Sequence, residues 1–270
     1  MNYRKTLEFL FSALPMYQRI GQAAYKANLD NTIALDNYFN HPHKQFKTIH
    51  VAGTNGKGSV SHMLAAILQK AGYRTGLYTS PHLLDFRERI RIDGEMIPQN
   101  EVVQFVREHK DIIKRVQPSF FEMTVAMSLD YFRRKKVDIA VIETGMGGRL
   151  DSTNIITPVV SVITNIGLDH TQFLGDSLEK IAAEKAGIIK PFVPVVIGEF
   201  QEETHSVFSH FAEKNNTKLS IAEQIFTPVS CHINEETHLQ TLKIRLGNET
   251  VEYSTDLLGC CQVRNLPAVL

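Results

Sequence analysis

Residues 49–59 read Ile-His-Val-Ala-Gly-Thr-Asn-Gly-Lys-Gly-Ser, and their reading decides the fold. An apolar run, Ile49 to Ala52, passes into a glycine-rich turn that carries Lys57, and an amphipathic segment opens at Ser59. A strand, a loop whose glycines free backbone N–H groups, and a helix N-terminus together make a cradle for anionic oxygens, and the lysine adds the matching charge. The spacing departs from the general phosphate-loop pattern: Thr54 and Asn55 alone separate Gly53 from Gly56, and Gly58 intervenes before Ser59. The competing reading is a strand-to-helix turn that is merely rich in glycine, but such a turn has no structural use for a lysine there. The expectation is a nucleotide site at Gly56, Lys57, Gly58 and Ser59.

Outward from this loop, short apolar runs alternate with helical patterns. Strands are expected at 48–52, 75–78, 137–142, 159–164, 193–197 and 218–222, and helices at 59–71, 99–116 and 121–135. Runs of four to six residues, apolar almost throughout, suit a parallel sheet covered on both faces, with helices as right-handed crossovers. The fold class is therefore α/β, a mostly parallel sheet with helices on both faces. Ligands of such sheets gather beyond the C-terminal strand ends. Four of those ends carry polar or glycine-rich sequence: the loop itself, Thr79-Ser80-Pro81-His82, Glu143-Thr144-Gly145-Met146-Gly147-Gly148-Arg149, and Asn165-Ile166-Gly167-Leu168-Asp169-His170. Together they predict one active-site rim.

Residues 82–98 are an insertion, with Asp93-Gly94 as a hairpin turn. Its Arg87, Arg89 and Arg91 fit either a solvated strand face or a mobile flap near an anionic substrate. The stretch 224–253 alternates in short β-like runs and predicts a small antiparallel appendage. Residues 259–270 begin a helical pattern and stop without a cap, so the expected division is a nucleotide-binding domain over 1–258 and, from 259, the start of a linker toward a further domain.

With 270 residues the chain can bury one large core or two small ones. Its formal net charge is zero, which gives no broad electrostatic footprint for nucleic acid. The amphipathic start (Leu7, Leu10, Phe11, Leu14, closed by Pro15) lacks the apolar core of a signal peptide, and no run is long enough for a membrane span. Three cysteines, Cys231, Cys260 and Cys261, make neither a disulfide framework nor a Cys-x-x-Cys zinc pair. They read as buried or indifferent thiols in a reducing cytoplasm.

The loop, the Thr-Ser-Pro-His run and the Glu-Thr-Gly-Met-Gly-Gly-Arg run together resemble the folylpolyglutamate synthase family, whose bacterial forms often also act as dihydrofolate synthase, within the Mur ligase superfamily. The resemblance extends over Tyr17-Gln18-Arg19-Ile20-Gly21, Phe120-Phe121-Glu122-Met123-Thr124, Leu150-Asp151-Ser152-Thr153-Asn154, Leu168-Asp169-His170-Thr171, Glu184-Lys185-Ala186-Gly187-Ile188-Ile189-Lys190, and Gly259 with Gln262 and Asn265. Family members continue into a smaller C-terminal domain with a His-Gly-Arg-like and an Asp-Gly-Ala-His-Asn-like run, and neither run occurs here.

The resemblance implies an ATP-dependent ligase of folate metabolism. A folate or dihydropteroate carboxylate attacks the γ-phosphorus of ATP, and the amine of L-glutamate then attacks the acyl phosphate. Alignment and charge neutralisation are what such phosphoryl transfer asks of a protein. It also implies magnesium, two ions in all, held by Ser80, Glu143, His170 and Lys185, the lysine as a carbamate. A turn hydroxyl, a loop acid, a loop histidine and an exposed helical lysine are the plain alternatives for these four. Lys57, Glu143, His170 and Lys185 are the implied catalytic set, Phe121, Glu122, Thr124 and Leu150 the implied pterin pocket, and Asn265 an adenine contact. A Phe-Phe pair at a helix start also reads simply as core. The implied protein is a cytoplasmic monomer without nucleic-acid or membrane partners, and this chain alone is expected to bind magnesium–ATP weakly without making an amide. Two other readings stand beside it: another Mur-type ligase acting on a cell-wall precursor, and a nucleotide-binding module without ligase chemistry.

Overall fold

The computed structural model describes residues 2–15 and 28–270; the Tyr17–Gly21 run lies outside them. The described strands of the main sheet are β1 (Lys47–Ala52), β2 (Thr75–Tyr78), β3 (Ile90–Ile92), β4 (Glu95–Met96), β5 (Ile139–Glu143), β6 (Val160–Ile163), β7 (Val195–Ile197) and β8 (Leu219–Ile221). They lie in the order β4-β3-β2-β5-β1-β6-β7-β8. From β2 to β8 every pairing is parallel, and only the β2/β3 and β3/β4 pairs are antiparallel.

Both faces of the sheet are covered, and the period-2 alternation of each strand decides which helix it meets. Ile49, Val51, Leu77, Ile139, Val141 and Val162 pack with Val60 and Ala65 of helix Lys57–Lys70. Tyr78, Ala140 and Ile142 turn to the other face, toward helices Gln99–Glu108 and Phe120–Arg134. Ala52, Ile163, Val195 and Ile197 meet helices Leu178–Ala186 and Glu202–Lys214. Helix Phe120–Arg134 opens on a capping box: Ser119 accepts from the Glu122 N–H, and the Glu122 carboxylate accepts from the Ser119 N–H.

The appendage is an antiparallel sheet of β9 (Phe226–Ile233), β10 (Gln240–Leu246) and β11 (Glu249–Thr255), in the order β11-β10-β9. Short helical turns at Gln262–Asn265 and Leu266–Ala268 pack against it.

Two expectations need correction. The helix expected over 99–116 divides at His109 into Gln99–Glu108 and Lys110–Val116; His109 leaves helical geometry because its ring turns in among Phe39, Phe105 and Tyr38. The three arginines do not share one solvated strand face. Arg87 precedes the strand and pairs with Asp85 at 2.7 Å. Arg89 is buried, stacks on Phe120 and donates to His82 Nδ1 at 2.8 Å. Arg91 alone follows the surface reading in part, reaching the Gly94 carbonyl at 3.0 Å.

Candidate active site

The loop after β1 is held from one side by the end of β6. Thr54 N–H donates to Asn165 O at 2.9 Å, Asn55 N–H to Asn165 Oδ1 at 3.0 Å, and Gly167 N–H to Thr54 Oγ1 at 2.9 Å. At Gly53 the two elements approach so closely that an added Cβ would lie 1.9 Å from Thr164 Oγ1. Gly56 caps the following helix at φ 80°, a left-handed backbone that favours glycine. Its Cα faces Asn265, whose Oδ1 would sit 2.2 Å from an added Cβ. Asn265 in turn donates to Gln262 Oε1 at 2.9 Å, and Gln262 donates to Ser59 Oγ at 3.2 Å. The segment after the appendage therefore lies directly on the loop.

Two lysines converge behind it. Lys57 Nζ donates to Gly53 O at 3.0 Å and Thr54 O at 3.1 Å, and Lys185 Nζ donates to the same Gly53 O at 2.8 Å. Lys185 is 4 % exposed. Burial, reinforced by the Lys57 charge, lowers its amine to about 7. Lys185 is therefore not an exposed helical lysine, and its bond to the Gly53 carbonyl is the contact that a plain structural lysine would make.

Glu143 ends β5 and is 3 % exposed. Burial raises its carboxyl to about 7, against the opposing pull of Lys57 and a hydrogen bond from the Ser80 N–H. Ser80 and Glu143 are thus adjacent, as two strand ends of one rim. Glu143 Oε2 is buried without a protein partner, and the Gly58 position faces it, 3.8 Å from an added Cβ. An orphaned, buried carboxylate oxygen beside a hydroxyl residue is a fitting donor for a hard cation such as magnesium. His170 stands at the next strand end, at φ 48°, with its N–H on Asp169 Oδ1 at 2.8 Å and its ring Nε2 3.7 Å from Asp169 Oδ2. Among the described residues no group of three or more His, Cys, Asp or Glu side chains is arranged to hold a metal.

On the other side of the rim, Phe121 covers Gly145: its Cζ would lie 2.5 Å from an added Cβ. Thr124 is buried, donates to Phe121 O at 3.0 Å, and lies 2.9 Å from the Tyr78 hydroxyl. Glu122 is buried as well; its Oε2 accepts from Ser119 N–H at 2.6 Å and Asn31 Nδ2 at 3.1 Å. Leu150 is half-buried. Of these four, Phe121 and Leu150 offer apolar surface, whereas Thr124 and Glu122 commit their polar atoms to the helix start.

Asp151 carries more of the rim than the sequence reading assigned to it. It is buried and accepts from Gly145 N–H at 2.8 Å, Met146 N–H at 2.9 Å, Thr153 N–H at 2.9 Å and Thr153 Oγ1 at 2.6 Å. Thr153 Oγ1 also meets His50 Nε2 at 2.8 Å. The glycine turn after β5 is thus anchored to the middle of β1. The signal was an Asp two residues before a Thr, the pattern of a side chain capping its own turn. Two open cavities, about 490 Å³ beside His109 and about 470 Å³ beside Tyr3, are lined by none of the rim residues.

The Mur ligase middle domain matches residues 51–270, most of the chain. The chain belongs to the Mur ligase family. Within it, the chain is 43% identical over 214 residues to the folylpolyglutamate synthase of Lacticaseibacillus casei, which is 77% of this chain and 48% of that protein. It is 43% identical over 182 residues to the dihydrofolate synthase/folylpolyglutamate synthase of Bacillus subtilis, 65% of this chain and 42% of that protein. A solved folylpolyglutamate synthase (FPGS) complex with AMPPCP and folate superposes with a TM-score of 0.89 at 34% identity, over 100% of this chain and 65% of that one. The chain is thus similar over much of its length to proteins that bear the folylpolyglutamate or dihydrofolate synthase name. The chain spans about half the length of the curated relatives it matches or less. Among the described residues no helix is long and apolar enough to cross a membrane.

Proposed function

We propose that this chain is the nucleotide-binding part of an ATP-dependent ligase that joins L-glutamate to folate, to dihydropteroate, or to both. The observation that carries the reading is the convergence of Lys57, Lys185 and the unpartnered Glu143 oxygen on one glycine loop at the C-terminal edge of a parallel sheet. On this reading Gly56, Lys57, Gly58 and Ser59 hold the β- and γ-phosphates, with the helix N-terminus directed at them. Lys57 leaves the Gly53 and Thr54 carbonyls to meet the terminal phosphate. Asn265, already against Gly56, borders the adenine side. Phe121 and Leu150 offer the face for a flat pterin ring, and Glu122 and Thr124 hold the helix that presents Phe121. Ser80, Glu143, His170 and Lys185 would hold magnesium, which neutralises charge on the phosphates when bound. A Lys185 amine lowered to about 7 keeps a neutral fraction near neutral pH, the form that reacts with carbon dioxide to give a carbamate.

Residues 1–258 are proposed as the nucleotide-binding domain and 259–270 as a connecting segment, which lies on its loop through Gln262 and Asn265. A cytoplasmic, monomeric enzyme fits the same reading. The test is a product assay on the protein as expressed from its natural reading frame. With ATP, L-glutamate and tetrahydrofolate or dihydropteroate, mass spectrometry should find a glutamylated product and ADP. ATP turnover stimulated only by a cell-wall precursor, or nucleotide binding with no turnover, would replace this reading.

A further inference from the structure

The central strand of the sheet carries an imidazole in its interior. His50 of β1 lies between Ile142 of β5 and Ser161 of β6 and is fully buried. Its neighbours Ile49 and Val51 pack on the side of helix Lys57–Lys70, so the ring projects from the opposite face, where it meets the short turn Ser152–Ile155. Burial, reinforced by the Lys190 charge, lowers the imidazole to about 3. The ring is therefore neutral and carries a single proton.

The partners decide which nitrogen holds that proton. Asp151 Oδ1 accepts from the Thr153 N–H and hydroxyl, and Oδ2 accepts from the Gly145 and Met146 N–H groups. Burial pushes the Asp151 carboxyl up, but these four donors fill the lone-pair sites of both oxygens. A proton on either oxygen would break one of the bonds, so the group is held as a carboxylate. A carboxylate only accepts, and the Thr153 hydroxyl thus spends its one proton on Asp151, at 2.6 Å. Toward His50 Nε2, 2.8 Å away, the same hydroxyl can only accept. His50 Nδ1 agrees with this assignment: it is buried with no partner among the described residues, and acceptors are left unsatisfied more readily than N–H donors.

We propose that His50 is a positioning residue for the pterin substrate: its Nε2–H fixes the Thr153 hydroxyl on Asp151, and Asp151 then holds the glycine turn against Phe121. This rests on the ligase reading above, in which Phe121 and Leu150 face the pterin. The relay runs to that side of the rim, since Gly145 is the residue that Phe121 covers and Asp151 directly follows Leu150. The phosphate loop is held by other groups, through bonds to Asn165 and Gly167 and through Gln262 and Asn265. An apolar side chain would fill a central strand as its neighbours do. A buried imidazole is of use there through its one donor.

The test uses the protein expressed from its natural reading frame. With isotope-labelled histidine, the NMR signals lost in H50Q identify His50, and in the wild type its proton should be found on Nε2. In steady-state kinetics, H50L and T153V should raise the KM for tetrahydrofolate or dihydropteroate at least ~fivefold and leave the KM for ATP unchanged. H50Q returns an N–H donor toward Thr153 and T153S keeps the hydroxyl, so both should restore the wild-type KM. H50L and T153V together should cost no more than either alone, because each breaks the same relay. Should H50L fail to fold, T153V and T153S carry the comparison, since Val has the shape of Thr without its hydroxyl. A proton on Nδ1 overturns the donor assignment. KM values for ATP and pterin that rise together, or conservative variants no better than H50L and T153V, overturn the positioning role. A wild type that makes no glutamylated product overturns the ligase reading and this role with it, whereas the tautomer is read without turnover.

Discussion

Replacing Glu143 by Gln should make the metal-free protein gain stability relative to the wild type as pH rises. Glu143 is 3 % exposed, and its carboxyl is raised from 4.5 to about 7, chiefly by burial. Below 4.5 the group is protonated in both the folded and the unfolded chain, and its ionisation costs nothing. Between 4.5 and about 7 the unfolded chain releases the proton while the folded one retains it, so folding becomes progressively less favourable. Above that window both forms are ionised and the folded state carries the whole penalty. At about 1.36 kcal/mol per unit, that gap amounts to about 3 kcal/mol. Glutamine keeps the volume and an oxygen for the Ser80 N–H, and it does not ionise. Its buried NH₂ group adds a cost of about 1–3 kcal/mol, but one that does not change with pH. Urea unfolding of both proteins in a chelating buffer, at steps from pH 4.5 to 8, isolates the difference, because every other titrating group cancels between them. The wild type should lose about 3 kcal/mol relative to the variant over that range. A difference that stays flat, or that runs the other way, would refute the claim that Glu143 is held as a buried, under-solvated carboxylate.

Lys185→Met should show the opposite slope: a lysine lowered to about 7 is hardest to bury below that pH, so the variant's advantage should be about 3–5 kcal/mol near pH 6.5 and fade by pH 10.5, read by the same urea series. Asp151→Ala strands two loop N–H groups, the Thr153 N–H and the Thr153 hydroxyl, and should cost about 3–5 kcal/mol in thermal or urea unfolding. Gly145→Ala drives a methyl into the Phe121 ring and should cost about 1–3 kcal/mol; Phe121→Leu in the same chain should recover most of it, as a double-mutant cycle would show. Lys57→Ala should weaken AMPPCP binding at least ~tenfold by calorimetry while the melting temperature stays within a few degrees, because its ammonium bonds only to loop carbonyls and removing it opens no core cavity.

The parts of the fold readable from sequence were those with local causes. Strands of four to six apolar residues announce a doubly covered sheet, and the expected runs at 48–52 and 75–78 agree with β1 and β2 to within a residue. The Asp93-Gly94 hairpin and the antiparallel appendage were readable for the same reason. The break at His109 was not, since the sequence keeps its helical period across it and only the aromatic pocket formed by distant Phe39 and Tyr38 gives the ring a better place. Arg89 shows the same limit: alternation along 89–92 looks like an exposed face, and the partners that bury the guanidinium, Phe120 and His82, come from other elements. At the rim, the sequence marked Ser80, Glu143 and Lys185 as polar residues at strand ends or in a helix. It could not tell that Glu143 and Lys185 would be buried, because burial is a property of the assembled layers. The Gln240 clamp was illegible too, as it joins residues 19 apart, the Gln240 side chain to the Gly259 backbone.

The rim's charges are unequally satisfied, and that inequality bears on what it is built to bind. The two cations are provided for: the carbonyls of Gly53 and Thr54 accept from Lys57, and Gly53 accepts from Lys185 as well. The anion is not. Glu143 has one backbone N–H from Ser80, and its second oxygen is buried with no protein group to meet it. A site made only for stability would pair the carboxylate with one of the two lysines, whose charges already lower its pKa in the case of Lys57. Leaving the pair unmade costs folding energy and keeps both partners available. A ligand that brings a polyphosphate and a divalent cation together answers both needs, since phosphate oxygens draw Lys57 off the loop carbonyls and the cation meets the Glu143 oxygen. An anion alone would satisfy the lysines and crowd the carboxylate, and a cation alone would do the reverse. On the proposed reading, nucleotide and metal should therefore bind with positive coupling, each strengthening the other through groups no more than one strand apart.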